Sequence, residues 1–318
     1  MSKIITKSTL PSIEKIGFAQ KVKRDFSMNK SLWLMAIPVV IWYIVFHYLP
    51  MIGVVIAFKN YTPTKGIMDS SWVGMKHFKD FFGSFYAWRV IKNTLVLNLY
   101  QLIYSFPAPI ILALLLNEIK NNHFKKAVQT ITYIPHFISL VVICGMIVDF
   151  TASEGLINDI IAIFGGERIS YLLKPEWYRT VYIASEIWRG IGWGSILYLA
   201  ALMGIDTELY EATAIDGAGR WKQFINVTLP GITPTIIIML ILNIGKMMSE
   251  GADKTILLYN PSTYETADII SSFIYRRGLA DANYSYSSAV GLFNSVINVI
   301  LITGANSFSR KINETSLW

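Results

Sequence analysis

The sequence predicts an all-α protein that crosses a membrane six times. Of its 318 residues, 53% are hydrophobic and only 15% are charged, whereas soluble domains carry about 25% charged residues. Six apolar runs approach or exceed the roughly 20 residues that a helix needs to cross the hydrocarbon layer. A basic segment directly before the first run is typical of the cytoplasmic end of a membrane protein.

The predicted spans divide the chain into a basic N-terminal segment, residues 1–30, and a transmembrane domain, residues 31–318. Several spans contain proline, which a membrane helix tolerates where neighbouring helices satisfy the freed backbone groups. In the second span Pro107 and Pro109 stand two residues apart, and we expect a kink there. In chain order, the spans are residues 32–58, 94–116, 127–150, 180–204, 232–249 and 286–308.

The distribution of basic residues predicts the orientation of the chain. Seven of the 28 Lys and Arg residues lie in the first 30 positions. No cleavage-site pattern follows them, so we expect a retained segment that lies on anionic lipid headgroups. Six crossings then place both termini in the cytoplasm, together with residues 117–126 and 205–230. The net charge of +7 forms no basic face, so we expect no nucleic-acid binding.

Three long connections face the opposite side of the membrane in this topology. They cover residues 59–93, 151–179 and 251–285, and each mixes aromatic residues with Gly, Pro and Ser. Two interpretations remain open for each connection. It either meets a protein that delivers substrate, or it packs on its neighbours to cap the helix bundle.

The sequence contains no group of residues arranged for catalysis, metal binding or ATP binding. Its one cysteine, Cys144, lies in an apolar run, and its four histidines are scattered without the spacing of metal ligands. It also lacks the G-x-x-x-x-G-K-[ST] phosphate loop. We therefore expect no enzyme activity, metal or cofactor in this chain. Any energy for transport must come from a partner protein or an ion gradient.

Residues 205–230 have the pattern of two short helices joined at a sharp corner. Asp206 is placed to cap the first helix, whose early turns carry acidic residues that the helix dipole favours. Gly217 and Gly219 would permit the reversal, and Pro230 would restart the chain into the fifth span. The second helix would carry three apolar residues on one face, Trp221, Phe224 and Ile225.

This segment resembles the EAA loop of bacterial ABC importer permeases, which the ATP-hydrolysing subunit grips. Thr213 stands where the family pattern has its second alanine, a small-for-small change that we expect docking to tolerate. We refer to residues 205–230 as the EAA-like segment. The resemblance, carried by residues 211–218 and by Leu229 and Pro230, implies that an ATPase subunit contacts Glu208, Glu211, Ala212, Asp216, Gly217, Ala218, Trp221, Phe224, Leu229 and Pro230.

The rest of the chain resembles the polysaccharide branch of the carbohydrate-uptake importers, which includes importers of pectin-derived and alginate-derived saccharides. The resemblance implies the type I ABC importer permease fold in a bacterial cytoplasmic (inner) membrane. It also implies a second, non-identical permease subunit, two ATPase subunits that hold ATP and Mg²⁺, and an extracytoplasmic solute-binding protein. The segments that carry it are residues 48–53, 56–59, 72–74, 77–78, 106–118, 133–139, 188–195, 257–261 and 316–318.

Residues inside the spans predict a path for oligosaccharides. Aromatic rings can stack on the C–H faces of sugars, although Trp and Tyr also form interfacial belts in membrane proteins. Charges at membrane depth usually face a cavity or a partner. The candidates for the path are Trp188, Arg189, Trp193, Tyr198, Asn243 and Lys246.

Arg189 and Lys246 each have an acidic residue within helical pairing distance, Glu186 and Glu250. Two interpretations remain open: internal ion pairs, or contacts to an acidic, uronate-containing sugar. Because a basic residue near position 189 belongs to the family resemblance, we expect Arg189 to have mainly a structural or gating role. Lys246 is then the candidate for substrate selectivity.

The sequence leaves two alternative functions open. A gradient-driven secondary sugar carrier would need carboxylates within the membrane, for which Asp149, Glu186 and Glu250 are the candidates. A non-transporting membrane assembly subunit would account for the docking segment but leave the polar and aromatic span interiors unexplained.

Overall fold

The computed structural model describes residues 24–249 and 251–313, with side chains described as far as Lys311. Within those residues the chain is helical and has no strand, apart from one isolated bridge between Lys59 and Trp72. The chain divides into two compact units, and the boundary in the sequence lies between Val54 and Val55. The basic residues from Lys3 to Lys23, and the prediction that rests on them, lie outside the described part.

The first unit contains most of the first predicted span. Helix α1 (Lys30–Tyr43) continues through a π-helical turn, Ile44–Tyr48, into a 3₁₀-helical stretch that begins at Leu49 and ends in the second unit at Phe58. The Asp25 carboxylate, just before α1, accepts hydrogen bonds from Asn29 Nδ2 at 2.7 Å and Trp33 Nε1 at 3.0 Å. These bonds tie the preceding turn to the start of the helix.

The second unit is a helix bundle. Its helices are α2 (Lys76–Phe82), α3 (Phe85–Tyr100), α4 (Pro107–Glu118), α5 (Asn122–Phe137), α6 (Leu140–Thr151), α7 (Leu156–Ile163), α8 (Pro175–Met203), α9 (Thr207–Ile215), α10 (Arg220–Gln223), α11 (Leu229–Lys246), α12 (Ala252–Leu258), α13 (Tyr264–Ala267), α14 (Ile270–Tyr275) and α15 (Tyr284–Asn313).

Among the described residues, five helical stretches are long and apolar enough to span a membrane. Helix α8 qualifies only together with α9, from which it is bent by 64°, so the count is six if this pair is one span. The five stretches are Lys30–Phe58, Phe85–Glu118, Leu140–Ile163, Arg220–Lys246 and Tyr284–Lys311.

The predicted third span, residues 127–150, is not one continuous helix. It divides into α5 and α6 at Ile138 and Ser139, whose backbones are extended. The Ser139 side chain accepts a hydrogen bond from the Val142 backbone N–H at 3.4 Å and so caps α6. An apolar run indicates which residues can lie in lipid. It does not show where a helix begins, which here is set by the capping serine.

Pro230 lies in the first turn of α11, as predicted for a proline that starts a helix, but no break in the chain precedes it. Helix α10 continues through a π-helical turn, Phe224–Thr228, directly into α11, so that Pro230 and Pro234 lie inside one helical stretch. Proline lacks the N–H that an α-helix uses. At Pro230, in the first turn of α11, a missing N–H costs little. The π-helical turn before it already has a hydrogen-bond spacing that differs from that of an α-helix.

Three clusters of buried apolar residues hold the second unit together. The first joins α3, α6, α8 and α12, and the second joins α2, α3, α14 and α15. The third lies where α4, α8 and α11 approach the EAA-like segment, and consists of Ala113, Leu116, Tyr198, Leu199, Leu202 and Ile232. This third cluster fixes the helices that position the functional site.

The connection between α11 and α15 is folded rather than a loose loop. Asp268, between α13 and α14, is fully buried. Its carboxylate pairs with Arg276 at 2.6 Å and with Arg89 of α3 at 3.3 Å. Of the two interpretations for residues 251–285, packing against the bundle therefore describes at least the part around Asp268.

Candidate functional site: the EAA-like segment and two polar cavities

The EAA-like segment begins with a capped helix. Asp206 is extended, and its carboxylate accepts a hydrogen bond from the Glu208 backbone N–H at 2.9 Å. This bond satisfies one of the free donors at the start of α9, and Glu208 adds negative charge where the helix dipole favours it. The predicted cap is confirmed.

The corner after α9 is a Schellman motif with Gly217 in the left-handed conformation. Gly217 has φ +75°. Its N–H donates to the Ala214 carbonyl at 3.0 Å, and the Ala218 N–H donates to the Thr213 carbonyl at 2.9 Å. These are the two bonds that close such a helix end. Gly219, predicted to share this role, has φ −72° and open space where a Cβ would lie, so only Gly217 is needed for the reversal.

The second half of the segment presents an aromatic pair beside an apolar groove. The rings of Trp221 and Phe224 stack with centroids 5.4 Å apart, and Trp221 is 72% exposed. The adjoining cavity of about 410 Å³ lies between these rings and the end of α4, where Leu114 and Leu115 contribute apolar surface and Glu118 a charge. An exposed aromatic pair next to an apolar groove is typical of a surface that meets another protein.

Two contacts that the sequence analysis did not find join α9 to the helix that follows. The Tyr210 hydroxyl lies 3.0 Å from the Thr228 hydroxyl, and Gln223 Nε2 donates to the Tyr210 carbonyl at 3.3 Å. These bonds cross the glycine corner, so no periodicity in the sequence indicates them. They make the two halves of the segment one connected element.

The structure places the ten predicted contact residues of the EAA-like segment at the surface, and none of them is buried. Ala218 and Phe224 are half-buried, and the other eight are exposed. The exposed residues are Glu208, Glu211, Ala212, Asp216, Gly217, Trp221, Leu229 and Pro230.

A cavity of about 200 Å³, the smaller polar cavity, is lined by polar as well as apolar side chains and lies among α4, α8, α11 and the turn before α4. Of the predicted path residues, Tyr198 and Asn243 line it. A larger cavity of about 470 Å³ lies between α8 and α12, and Arg189 lines it. Gln101 and Glu186 line both cavities, so the two meet at these residues.

The other predicted path residues lie elsewhere. Trp188 lines an apolar cavity of about 550 Å³ between α8 and the pair α6 and α7. Trp193 stacks on His136 of α5, with centroids 4.5 Å apart and the planes nearly parallel. Lys246 is the last residue of α11, and the next residue, Met247, lines the smaller polar cavity.

The helical spacing allowed a pair between Glu186 and Arg189. In the structure, Glu186 pairs with Lys254 instead. Lys254 Nζ lies 2.7 Å from Glu186 Oε2, and also donates to the Tyr182 carbonyl at 2.9 Å. Burial lowers the pKa of the Lys254 ammonium, and the Glu186 carboxylate opposes that shift. The predicted partner of Lys246, Glu250, lies outside the described residues.

Arg189 has an unused donor, because its Nε is buried without a hydrogen-bond partner among the described residues. A buried guanidinium N–H without a partner is costly unless a ligand or water satisfies it. Among the residues that the structure describes, no group of three or more His, Cys, Asp or Glu side chains could hold a metal ion. The side chains that line the cavities, among them Gln101, Glu186 and Arg189, offer hydrogen bonding and charge pairing.

Comparison with known proteins agrees with this architecture. The model of the family of binding-protein-dependent transport system inner membrane components matches residues 18–314. The polygalacturonan/rhamnogalacturonan transport system permease protein YteP of Bacillus subtilis is 42% identical over 313 residues, which are 97% of this chain and 98% of that protein. Protein LplB of the same organism is 43% identical over 304 residues, 95% of this chain and 94% of LplB.

A solved structure is similar as well. The bacterial alginate ABC transporter, in complex with an alginate pentasaccharide-bound periplasmic protein, contains a chain with 43% identity and a TM-score of 0.86. The match covers 94% of this chain and 99% of that one. The resemblance inferred from the sequence and the predicted all-α importer permease fold are thereby confirmed. The chain belongs to the family of binding-protein-dependent transport system inner membrane components.

Proposed function

We propose that this chain is the permease subunit of an ATP-driven importer that carries oligosaccharides, acidic ones included, into the cytoplasm. The observation that carries the proposal is the EAA-like segment. It is a capped surface helix that ends in a Schellman corner, with none of its ten predicted contact residues buried. In an importer permease, such a segment would serve as the surface that contacts a separate ATPase subunit.

The exposed charges and apolar surface of the segment indicate what its partner supplies. Glu208 and Glu211 are exposed on α9, and Trp221 stands beside the groove at the end of α4. A partner that supplies basic residues and an apolar side chain would complement both features. ATP and Mg²⁺ would bind to that partner, because this sequence has no phosphate loop.

The remaining partners of the proposed complex follow from the family. They are a second, non-identical permease subunit and two copies of the ATPase subunit. An extracytoplasmic solute-binding protein would deliver the saccharide, as the periplasmic protein in the alginate transporter structure suggests for its own complex. In this arrangement both termini of the chain lie in the cytoplasm of a bacterial cell whose inner membrane holds the complex.

Two similar proteins point towards acidic sugars. One is named for polygalacturonan and rhamnogalacturonan, and the other imports the acidic polysaccharide alginate. In this chain, Arg189 lines the larger polar cavity and has an unused donor. The geometry therefore favours Arg189 over Lys246 as the residue that pairs with a sugar carboxylate.

The proposed mechanism uses the connections of the EAA-like segment. Helix α9 is bent off the end of α8, and α10 is continuous with α11. Both α8 and α11 line the smaller polar cavity. Closure of the ATPase subunits would move α9, and the Tyr210–Thr228 contact would transmit that motion to α11. The cavity would then change the side of the membrane to which it opens.

The two alternative functions have less support. A gradient-driven carrier needs a carboxylate free to bind and release its coupling ion, whereas Glu186 is held by Lys254. A non-transporting assembly subunit leaves the polar cavities without a use. Membership in a family of binding-protein-dependent transport components argues against both alternatives.

The test is to purify the chain with its second permease subunit and its ATPase subunits, place the complex in vesicles with its solute-binding protein, and measure ATP-dependent oligosaccharide uptake. We expect Glu211→Lys to remain folded and to reduce uptake at least about tenfold, because the charge reversal weakens contact with the ATPase subunit. Glu167→Lys is the matched control, since Glu167 is an exposed acidic residue far along the chain from the EAA-like segment. Normal uptake by the Glu211→Lys complex would refute the assignment.

A further inference from the structure

The membrane helix that contains α3 and α4 changes its winding in the middle. Residues Gln101–Ser105 form a π-helical turn, and the Phe106 N–H donates to the Gln101 carbonyl at 2.9 Å. Pro107, which begins α4, follows directly. π-Helical turns are frequently found at functional sites. Others occur in this chain at Ile44–Tyr48, Phe224–Thr228 and Arg276–Ala280, so it is the position of this turn at the cavities that matters.

The side chains at the two ends of this turn line the polar cavities. Gln101 and Ser105 both line the smaller cavity, where α8 and α11 form the opposite wall. Gln101 also lines the larger cavity, together with Arg189 and Glu186. A ligand that extends from one cavity into the other would therefore pass Gln101.

The polar groups of the turn are not used inside the protein. Ser105 Oγ is buried and has no hydrogen-bond partner among the described residues. The Gln101 side chain likewise forms no hydrogen bond within the described part of the chain. Buried polar groups in native proteins are nearly always paired, so unpaired ones at a cavity call for a partner from outside the chain.

The rest of the lining restricts the class of that partner. A Gln amide offers two donors and one acceptor, and a Ser hydroxyl offers a donor and an acceptor, a set that matches neighbouring sugar hydroxyls. The same cavity has apolar surface from Phe106, Pro109 and Ile191, which suits the C–H faces of a sugar ring. Neither Gln101 nor Ser105 carries a charge, so their contacts do not depend on a uronate group.

We propose that the π-helical turn is a saccharide-binding element, in which Gln101 and Ser105 hydrogen-bond to ring hydroxyls of the passing oligosaccharide. This inference rests on the proposed transport function and adds residues of a third helix to the path formed by α8 and α11. Charge recognition belongs to Arg189, whereas the turn recognises the hydroxyl pattern that acidic and neutral sugars share.

The test uses the complete transporter in vesicles with its binding protein and a panel of oligogalacturonates and malto-oligosaccharides. We expect Gln101→Leu and Ser105→Ala each to raise the KM for uptake about tenfold, the effect of losing one to two hydrogen bonds. Gln129→Leu is the matched control, since Gln129 of α5 lines neither polar cavity.

A second measurement separates ligand binding from a structural role. Because the Ser105 hydroxyl has no partner in the protein, Ser105→Ala should leave the thermal unfolding midpoint unchanged or slightly higher. Unchanged KM in both variants, with normal wild-type uptake, would overturn this inference and leave the transport function intact. A lower midpoint with unchanged KM would assign the turn a structural role. Wild-type vesicles that move no oligosaccharide of the panel would overturn the transport function itself.

Discussion

Lys254 and Glu186 form an ion pair at the wall of the larger polar cavity, with 2.7 Å between Nζ and Oε2. The Lys254 side chain is only 4% exposed, and its ammonium lies 4.3 Å from the centre of the Tyr182 ring. The pair joins α8 to α12, 68 residues further along the chain. It therefore fixes the connection that follows α11 to a helix that also leads into the EAA-like segment.

Removing the lysine alone should destabilise the protein. In Lys254→Met, Glu186 keeps its charge in a partly buried site, and the Tyr182 carbonyl loses its donor. Breaking a buried pair in this way costs about 3 kcal/mol. Thermal unfolding of the purified complex should show a clearly lower midpoint. The double variant Glu186→Gln/Lys254→Met should recover most of the loss, because no charge is then left without a partner. No recovery would mean that the pair is not the source of the effect.

The pH dependence of stability should carry a contribution from Lys254. Burial lowers the pKa of this lysine below its ordinary value of 10.5, so between the two values the unfolded chain binds more protons than the folded one. Stability is therefore gained as pH rises from the lowered pKa towards 10.5, and is lost as pH falls through the same window. Unfolding of wild type and Lys254→Met across alkaline pH measures this contribution. Parallel curves would contradict it.

Substitution by alanine should show that the two glycines at the corner of the EAA-like segment have different roles. Gly217→Ala places a Cβ on a residue at φ +75°, which costs about 1 kcal/mol, and should disturb the end of α9. Gly219 has an ordinary φ of −72°, and the Cβ added by Gly219→Ala would lie in open space. We expect substrate-stimulated ATPase activity to fall only in the first variant. Equal effects would indicate that the corner needs both glycines.

Close packing of α5 on α8 depends on Gly192. A Cβ at this position would lie 2.2 Å from the Thr132 carbonyl oxygen, so Gly192→Ala forces the two helices apart. Overpacking of this kind costs about 1–3 kcal/mol. Gly304→Ala in α15 is the control, since nothing lies within 4 Å of the added Cβ. Thermal unfolding of both variants decides whether the close approach limits stability.

Selectivity for acidic sugars should depend on Arg189 more than on Lys246. With Arg189→Gln we expect uptake of oligogalacturonates to fall about tenfold, the effect of losing one charge-assisted hydrogen bond. Uptake of neutral malto-oligosaccharides should change less than about twofold on the same scale. Lys246→Gln is the matched comparison, because it removes a charge next to the smaller cavity. Equal losses for acidic and neutral sugars in Arg189→Gln would remove Arg189 from charge recognition.

Local sequence signals accounted for much of the EAA-like segment. The Asp206 cap, the acidic first turn of α9 and the reversal at Gly217 depend on residues within a few positions of one another. Each is governed by backbone conformation and by hydrogen bonds along a single turn. The same holds for the apolar runs, because the length of helix that lipid can surround follows from composition alone. The sequence by itself therefore determined the all-α membrane fold and the local conformation of the EAA-like segment.

The tertiary structure alone decided which distant residues meet. Spacing within one helix pointed from Glu186 to Arg189, but Lys254 of another helix reaches the same carboxylate with better geometry and deeper burial. Likewise, nothing near Gln101 in the sequence indicates that it stands where two cavities meet. Pairings of this kind are set by how helices pack. Packing depends on the shapes of many side chains at once and leaves no periodic trace in the chain.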